Sequence, residues 1–206
     1  MKRLILIGAS GHGKVCAEIA ELTNRYNEIL FLGDNPLEKK CKGYDVVGST
    51  KDFQQYINED TEFFVSIGKV EIRKDIQERI GKASGNIATL IHPNAVVSSD
   101  VQIGKGTVVM AGVVINTCTI IGKGCIINTA SSVDHDCTIG DYCHIAVGAH
   151  TCGKVDVGTM TWVGAGATVI NNINVTDECV IGAGAVVVED IKSSGLYVGV
   201  PARMRE

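Results

Sequence analysis

Residues 121–145 read IGKGCIINTASSVDHDCTIGDYCHI, and an aliphatic residue returns at every sixth position of this stretch. The register extends both ways without an insertion, with Ile or Val at every sixth position from 91 to 187 except at Thr151. A second series, four places later in each hexad, runs from position 95 to 185 and holds only small or β-branched residues. An amphipathic helix would repeat its apolar residues about every 3.6 positions, and an ordinary strand would alternate apolar and polar residues. Two fixed inward positions in every six residues fit neither pattern and predict a short-period β-solenoid.

A longer period of eighteen residues is superimposed on the hexad. An Ile-Gly or Val-Gly pair returns at that spacing, at Ile103-Gly104, Ile121-Gly122, Ile139-Gly140 and Val157-Gly158. Eighteen residues make one coil of three hexads, which predicts a prism with three walls. The glycines are expected at its corners, where the backbone needs a positive φ or a close approach.

Residues 1 to about 88 follow a different pattern, in which strands and helices alternate. We predict strands at 4–7, 28–32 and 62–67 and helices at 14–22 and 70–80, with 87–91 leading into the solenoid. Alternation of this kind predicts a small parallel sheet of Rossmann type. The chain is therefore divided into an α/β domain, 1–88, and an all-β solenoid domain, 89–206.

The composition describes a soluble globular chain of 206 residues, with 45% hydrophobic residues, 20% charged residues and a net charge of −4. It has no basic cluster of the kind that nucleic acid requires, and no apolar run near the roughly 18 residues of a membrane span. The apolar N-terminal stretch is interrupted at Gly8, too early for a signal peptide. We expect a cytoplasmic protein that neither binds nucleic acid nor inserts into a membrane.

Four of the eight cysteines occupy the second inward position of the hexad, where Ser, Thr, Ala and Val stand elsewhere: Cys125, Cys137, Cys143 and Cys179. These four are expected to fill the core. No Cys-x-x-Cys pair exists, which favours reduced thiols over disulfides or a metal site.

A glycine-rich loop, GASGHG at residues 8–13, separates the first predicted strand from the first predicted helix. Such a loop lets backbone N–H groups approach an anion at a helix N-terminus. Its spacing, G-x-x-G-x-G, departs from the dinucleotide fingerprint and so does not predict NAD. Asp34 follows the second strand, where a ribose hydroxyl is often held, which favours a nucleotide ligand.

Together with IGKVEIRK at 67–74, NTASSVDHD at 128–136 and YVGVPAR at 197–203, this loop resembles the bacterial sugar O- and N-acetyltransferases of the hexapeptide-repeat superfamily. That family includes sialic acid O-acetyltransferases and, with the nearest likeness, the N-acetyltransferases of UDP-4-amino-4,6-dideoxy sugars in bacillosamine biosynthesis. The resemblance covers essentially the whole chain. It implies a left-handed parallel β-helix, acetyl-CoA as cosubstrate and a homotrimer.

His135 is the predicted general base. Acetyl transfer from a thioester needs a base for the attacking amine or hydroxyl and a donor for the developing oxyanion. His135 stands at the third, outward position of its hexad, between Asp134 and Asp136, and a carboxylate on its second nitrogen would raise its basicity. The resemblance implies that Asp136 has this role, and Asp134 remains a rival.

Further site residues follow from the resemblance. His144 is expected to donate to the thioester carbonyl of acetyl-CoA, and Ala165 and Ala183 to contact the cofactor through their backbone. Asn128 is expected to orient the sugar or the base, although an asparagine stacked at a solenoid corner explains it equally well.

The nucleotide-sugar is expected against the α/β domain. The residues that the resemblance implies there are Ser10, Gly11, His12, Asp34, Asn35 and Gly68. Of the other histidines, His92 is interpreted as structural and His150 is unassigned.

The combined interpretation is an acetyl-CoA-dependent N-acetyltransferase acting on a nucleotide-linked 4-amino-4,6-dideoxy sugar, with a UDP-sugar favoured. Transfer is expected to be direct, in a ternary complex, because the inward Cys137 and Cys143 leave no obvious covalent nucleophile. No metal or redox nucleotide is implied. Three alternatives stay open: O-acetylation of sialic acid or another sugar, N-acetylation of GDP-perosamine, and a non-catalytic β-helix that binds or scaffolds.

Overall fold

The structure is a computed structural model that describes residues 2–35, 37 and 39–205. The chain divides into two compact units, Met1–Pro93 and Asn94–Glu206. Each unit has its own apolar core.

The first unit is a six-stranded sheet with two α-helices. The strands of the sheet are β1 (Arg3–Ile7), β2 (Glu28–Leu32), β3 (Lys40–Cys41), β4 (Tyr44–Gly48), β5 (Thr61–Val65) and β6 (Asn86–Ile87). A short strand outside this sheet, β7 (Leu90–Ile91), follows β6 along the chain. The helices are α1 (Gly11–Leu22), α2 (Val70–Lys82) and a 3₁₀ helix at Thr50–Tyr56. The sheet order is β3-β4-β2-β1-β5-β6, and every pair is parallel except β3 with β4.

The central position of β1 explains its continuous apolar sequence. It pairs with β2 on one side and β5 on the other, and Leu4, Ile5, Leu6 and Ile7 are fully buried. A strand covered on both faces of a parallel sheet has no polar side, so its residues do not alternate.

Two features of this unit differ from the sequence prediction. Strands β3 and β4 and the 3₁₀ helix lie in a segment where no element was predicted, and α1 begins three residues earlier than the predicted residue 14. The early start places loop glycines inside the helix. A Cβ at Gly13 would lie 2.2 Å from the carbonyl oxygen of Gly8, so only glycine lets the first turn pass so close to the end of β1.

The second unit is a three-walled parallel solenoid whose strands recur every eighteen residues, and its walls are called walls 1, 2 and 3. Wall 1 contains β10 (Val108–Val109), β13 (Ile126–Ile127), β16 (His144–Ile145), β19 (Trp162–Val163), β22 (Cys179–Ile181), β24 (Gly195–Val198) and β25 (Arg203–Met204). Wall 2 contains β8 (Val96–Val97), β11 (Val114–Ile115), β14 (Ser132–Val133), β17 (His150–Thr151), β20 (Thr168–Val169) and β23 (Val186–Val187). Wall 3 contains β9 (Gln102–Ile103), β12 (Ile120–Ile121), β15 (Thr138–Ile139), β18 (Asp156–Val157) and β21 (Asn174–Val175).

Both predicted inward series form the core of this unit. The first series is buried from Val109 to Val187, and the second from Thr107 to Ala185. The four core cysteines of the second series are at most 1% exposed. The first series is less covered at its start, because Val97 lies in a strand, β8, that pairs with a neighbour on one side only.

The glycines of the Ile-Gly and Val-Gly pairs serve close approach rather than positive φ. A Cβ at Gly104 would lie 2.4 Å from the backbone nitrogen of Lys123, and a Cβ at Gly158 would lie 2.4 Å from that of Asp177. The left-handed backbone falls two places later, at every sixth residue from Gly106 to Gly184, and eight of those residues are not glycine: Cys118, Ala130, Asp136, Tyr142, Lys154, Met160, Asn172 and Glu178.

A final coil covers the last strands of all three walls. Ile191 bridges to Val175 on wall 3, and β24 pairs in parallel with β22 on wall 1. On wall 2, the N–H of Val186 donates to the carbonyl of Gly199 at 3.1 Å. Strand groups that would otherwise be unpaired are thereby satisfied.

Candidate active site

His135 lies in the turn after β14, at the corner between walls 2 and 3. Its Nδ1 is 2.7 Å from Oδ2 of Asp136, and its side chain is 48% exposed. The carboxylate can only accept, so Nδ1 carries the hydrogen, and in the neutral form of the ring the lone pair is on Nε2. Among the described residues nothing hydrogen-bonds to Nε2. The ring is therefore in the tautomer that a general base requires.

Asp136 reaches the ring because of its backbone conformation. Its φ is +57°, in the left-handed region that aspartate tolerates better than most residues. Asp134 instead accepts from the backbone N–H of His135 at 2.8 Å and from Nδ2 of Asn116 at 2.7 Å. These donors, Asn116 first, lower the pKa of Asp134. Of the two flanking carboxylates, Asp136 holds the ring and Asp134 holds the turn.

A surface depression opens beside the His135 ring. Its volume is about 420 Å³, and its lining consists of Asp134, His135, Cys152, Gly153, Lys154, Asn171 and Asn172. The corner residues of three successive coils line it. An acceptor group that enters this depression meets the His135 ring.

His144 lies on wall 1 and points outward from β16. Nδ2 of Asn128 donates to its Nε2 at 3.1 Å, while Oδ1 of Asn128 accepts from the N–H of Thr129 at 2.8 Å. Because Nε2 accepts, the hydrogen of the neutral ring is on Nδ1. Trp162, which is paired with His144 in the next coil, stacks on its ring, with the ring centroids 5.4 Å apart and the ring planes at an angle of 8°. Asn128 thus orients His144, and Nδ1–H is its donor.

Ala165 and Ala183 occupy the corner between walls 1 and 2, one coil apart. Both are exposed. The carbonyl of Ala165 accepts from the N–H of Gly184 at 2.9 Å. Among the described residues, the N–H groups of both alanines donate to no acceptor. They are therefore open to a ligand that lies along this corner.

One chain does not bring all of these residues together. His144 lies on wall 1, and Asn128, Ala165 and Ala183 lie at the corner where that wall ends. His135 and Asp136 lie at the corner between walls 2 and 3, which in a three-walled prism is opposite wall 1. The predicted base and the predicted thioester donor are therefore on opposite sides of the solenoid.

In the glycine-rich loop of the first unit, the backbone and its close contacts require glycine at some positions and not at others. Gly8 has a φ of +114°, and a Cβ there would lie 2.7 Å from Cγ1 of Ile67. By contrast, a Cβ at Gly11 or at Gly68 would meet nothing within 4 Å. Ser10 is the N-cap of α1 but makes no side-chain cap hydrogen bond. Open space and an uncommitted hydroxyl thus surround the start of α1.

His12 is partly buried and uncharged at neutral pH. Burial, and then the nearby Arg73 guanidinium, lower the pKa of His12 to about 4. The Sγ of Cys16 lies 3.7 Å from Nε2, and burial raises the pKa of that thiol, which stays protonated. The thiol is thus in hydrogen-bond contact with Nε2, and the neutral ring of His12 carries one N–H donor.

Arg73 is a positioning residue that the sequence did not single out. It is 1% exposed, and its Nη1 donates to the carbonyls of Ile67 and Gly68 at 3.0 and 2.7 Å. The buried guanidinium fixes the turn that follows β5. An arginine one turn into an otherwise amphipathic helix is too common a pattern to have identified it.

Asp34 and Asn35 line a second depression, of about 380 Å³, together with Gly33, Lys39, Val46, Val47, Gly48 and Ser49. The carboxylate of Asp34 accepts from the backbone N–H of Thr50 at 2.9 Å and from its hydroxyl at 3.0 and 2.9 Å. Oδ1 of Asn35 accepts from the N–H of Leu37 at 3.1 Å. Asp34 thus holds the start of the 3₁₀ helix while facing the depression.

Metal-binding clusters and membrane-spanning helices are both absent from the part of the chain that the structure describes. No group of three or more His, Cys, Asp or Glu side chains in 2–35, 37 and 39–205 has a metal-binding arrangement. Within the same residues, neither α1 nor α2 is long and apolar enough to cross a membrane.

Comparison with known proteins finds a family match and a curated relative. Residues 3–80 match the family described as the PglD N-terminal domain. Over 118 residues the chain is 36% identical to the UDP-N-acetylbacillosamine N-acetyltransferase of Bacillus subtilis (strain 168), across 54% of this chain and 52% of that protein. The match thus spans about half the length of that curated relative.

Solved structures match over the full chain. The acetyltransferase domain of PglB from Neisseria gonorrhoeae FA1090 has a TM-score of 0.96 at 37% identity, with 100% of both chains covered. The same domain in complex with acetyl coenzyme A has a TM-score of 0.94. PerB from Caulobacter crescentus, in complex with CoA and GDP-perosamine, has a TM-score of 0.94 at 34% identity, covering 100% of this chain and 98% of that one. The predicted fold class, an α/β domain followed by a left-handed parallel β-helix, is confirmed.

Proposed function

Because this chain belongs to the sugar acetyltransferase family, we propose that it transfers the acetyl group of acetyl-CoA to the amine of a nucleotide-linked 4-amino-4,6-dideoxy sugar. The observation that carries the proposal is the His135–Asp136 pair, at 2.7 Å, with Nε2 of the ring unpartnered among the described residues. A neutral imidazole held by a carboxylate through Nδ1 is a general base whose other nitrogen faces the acceptor.

The proposed step is a direct attack of the amine on the thioester. The sugar nitrogen forms the new C–N bond with the acetyl carbonyl carbon, and Nε2 of His135 takes the proton that the nitrogen loses. The C–S bond then breaks, and the sulfur of CoA leaves as the thiolate, which takes up the proton that the His135 imidazolium gives back, directly or through water. Asp136 stabilises the imidazolium that forms in this step, since its carboxylate lies on Nδ1–H.

The proposed acetyl-CoA site follows wall 1 and its corner with wall 2. Nδ1–H of His144 is the donor for the thioester oxygen, since Asn128 occupies the other ring nitrogen at 3.1 Å. A hydrogen bond placed where charge develops lowers the barrier in the transition state. The unpartnered N–H groups of Ala165 and Ala183 offer backbone contacts to an extended arm of the cofactor.

The proposed assembly is a homotrimer in which two copies complete each site. His135 and His144 lie on opposite sides of one prism, so a site that uses both needs His144 from a neighbouring copy. Wall 1 also presents an outward column of apolar residues, with Trp162 50%, Val180 40% and Leu196 36% exposed. A second copy packed on this wall would cover the apolar column and would bring His144 of one copy toward His135 of the other.

The proposed nucleotide-sugar site lies in the first unit. Ser10, Gly11 and His12 present an uncommitted hydroxyl, open space and an uncharged N–H donor at the start of α1, and Gly68 is equally open. Asp34 and Asn35 line the neighbouring depression. Anions are favoured at helix N-termini, which suits the diphosphate of such a substrate.

The proposed location is the cytoplasm, as expected of a chain whose core is filled by free thiols. A UDP-sugar is the favoured acceptor because the curated relative named above acts in UDP-sugar chemistry. A GDP-linked acceptor is the second candidate, on the strength of the full-length likeness to PerB solved with GDP-perosamine.

Thiol release from acetyl-CoA tests the proposal. The acceptors are UDP-4-amino-4,6-dideoxy-GlcNAc, GDP-perosamine and free sialic acid, each with wild type, His135→Ala and Asp136→Asn. We expect turnover with one nucleotide amino sugar, a loss of about 10² or more for His135→Ala, and a smaller loss for Asp136→Asn. Turnover with sialic acid alone, or full activity of His135→Ala, contradicts the proposal.

A further inference from the structure

Gly153 lies against the ring of His135, one coil further along the same corner. A Cβ built on Gly153 would be 2.6 Å from both Cε1 and Nε2 of that ring and 3.2 Å from its Cδ2. Ordinary contacts of such an atom lie at 3.4–4 Å. The imidazole thus occupies the space in which any side chain at position 153 would begin.

The backbone gives no reason for a glycine at this position. The φ of Gly153 lies outside the left-handed region, so an alanine would adopt the same backbone without strain. The equivalent position in the other coils of this corner carries a side chain each time: Ser99, Thr117, His135 and Asn171. In this series position 153 is the one without a side chain, and the residue at the matching place in the preceding coil is His135.

The missing side chain also leaves room for the Nε2 edge of the ring. The ring is tied to Asp136 through Nδ1, and its Nε2 edge lies against Gly153, which lines the depression together with Lys154 and Asn171. A methyl group at 153 would displace that edge by about 1 Å, and a misplacement of this size costs about 10²-fold in rate. The Asp136 contact, 2.7 Å long, would be disturbed by the same movement.

We propose that Gly153 is a positioning residue, a seat for the His135 ring that holds its unpartnered nitrogen toward the acceptor amine. This inference rests on the proposed function, because it acts through the assigned base. It adds a requirement for this chain: a histidine at position 135 keeps this ring placement only with glycine eighteen residues later, at position 153.

The test compares Gly153→Ala, His135→Ala and the double variant, with Ser99→Ala as a control at the same register position in a coil that does not touch His135. We expect Gly153→Ala to lower kcat about 10²-fold while KM for both substrates changes less than about 3-fold. In the His135→Ala background the same substitution is expected to leave the residual rate unchanged within about twofold, because the ring that it displaces is gone. Ser99→Ala is expected to match wild type.

The outcomes separate this inference from the proposed base. If His135→Ala keeps full activity, the base assignment fails. If His135→Ala loses activity but Gly153→Ala keeps its kcat, only the positioning role fails. The melting temperature gives the third outcome. If Gly153→Ala lowers it equally in the wild-type and His135→Ala backgrounds, or unfolds both proteins, the glycine serves only the fold and the inference is overturned.

Discussion

An assembly that mixes His135→Ala chains with His144→Ala chains is expected to recover acetyl transfer that neither variant shows alone. The reason is the opposition of the two histidines across the prism, at the corner between walls 2 and 3 and on wall 1. Each site then takes His135 from one copy and His144 from another. A His144→Ala chain still supplies His135, and a His135→Ala chain still supplies His144.

The size of the recovery follows from this geometry. With equal amounts and random assembly, a given site finds an intact His135 with a chance of one half and an intact His144 from its neighbour with the same chance. About one quarter of the sites are therefore complete. Since each variant alone is expected to lose about 10²-fold or more, the mixture should exceed either by about 25-fold.

The assay is thiol release from acetyl-CoA by co-expressed chains whose ratio is measured by mass spectrometry. A rate no higher than the mean of the two variants refutes sharing of the site between copies. A double variant, His135→Ala with His144→Ala, co-expressed with wild type is the matched control. It should leave about one quarter of wild-type activity if sites are shared, and about one half if one chain supplies both histidines.

Three further predictions concern the first unit and wall 1. The folded pKa of His12 is about 4, below the unfolded value near 6.5, so the unfolded chain takes up the proton first and stability falls as pH drops through that window. Between pH 7.5 and pH 5 the free energy of unfolding is expected to fall by about 2 kcal/mol because of His12. Urea unfolding should therefore show a steeper loss of stability with falling pH in wild type than in His12→Gln. Gly68→Ala is expected to raise KM for the nucleotide-sugar about 10-fold without lowering the melting temperature, because a Cβ there meets nothing of the protein within 4 Å. Trp162→Ala is expected to lower kcat/KM for acetyl-CoA about 5-fold, as it removes the ring stacked on His144 at 5.4 Å.

Each of the three has its own control. Equal pH dependence of wild type and His12→Gln would contradict the buried neutral histidine. Gly81→Ala, where a Cβ meets only Cδ1 of Ile87 at 3.8 Å, should leave KM unchanged and add slight helix stability. For Trp162→Ala, an unchanged kcat/KM for acetyl-CoA would show that stacking does not orient His144, and substitution by Phe should restore most of the loss.

The glycines at the prism corners could be predicted from the sequence, but the physical reason for them could not. The hexad pattern allowed either a positive φ at the glycine or a close approach of the next coil. The structure separates them: Gly104 and Gly158 are needed because a Cβ there would lie 2.4 Å from the backbone of the next coil, while the left-handed residues lie two places later and include Asp136. Contact between coils joins residues eighteen apart, and a one-dimensional pattern does not contain those distances.

The order of residues was enough to predict the solenoid, its inward residues, the outward exposure of His135 and the alternation of strands and helices in the first unit. These properties are local: a residue's place in the hexad, or in a buried strand, is set by its near neighbours in the chain and by the need to bury apolar side chains. The folded chain was needed to show which carboxylate holds the His135 ring, that Asn128 binds His144, and that Gly153 lies against the base. Those outcomes depend on side-chain directions at turns and on residues stacked from different coils, which the order of residues along one coil does not specify.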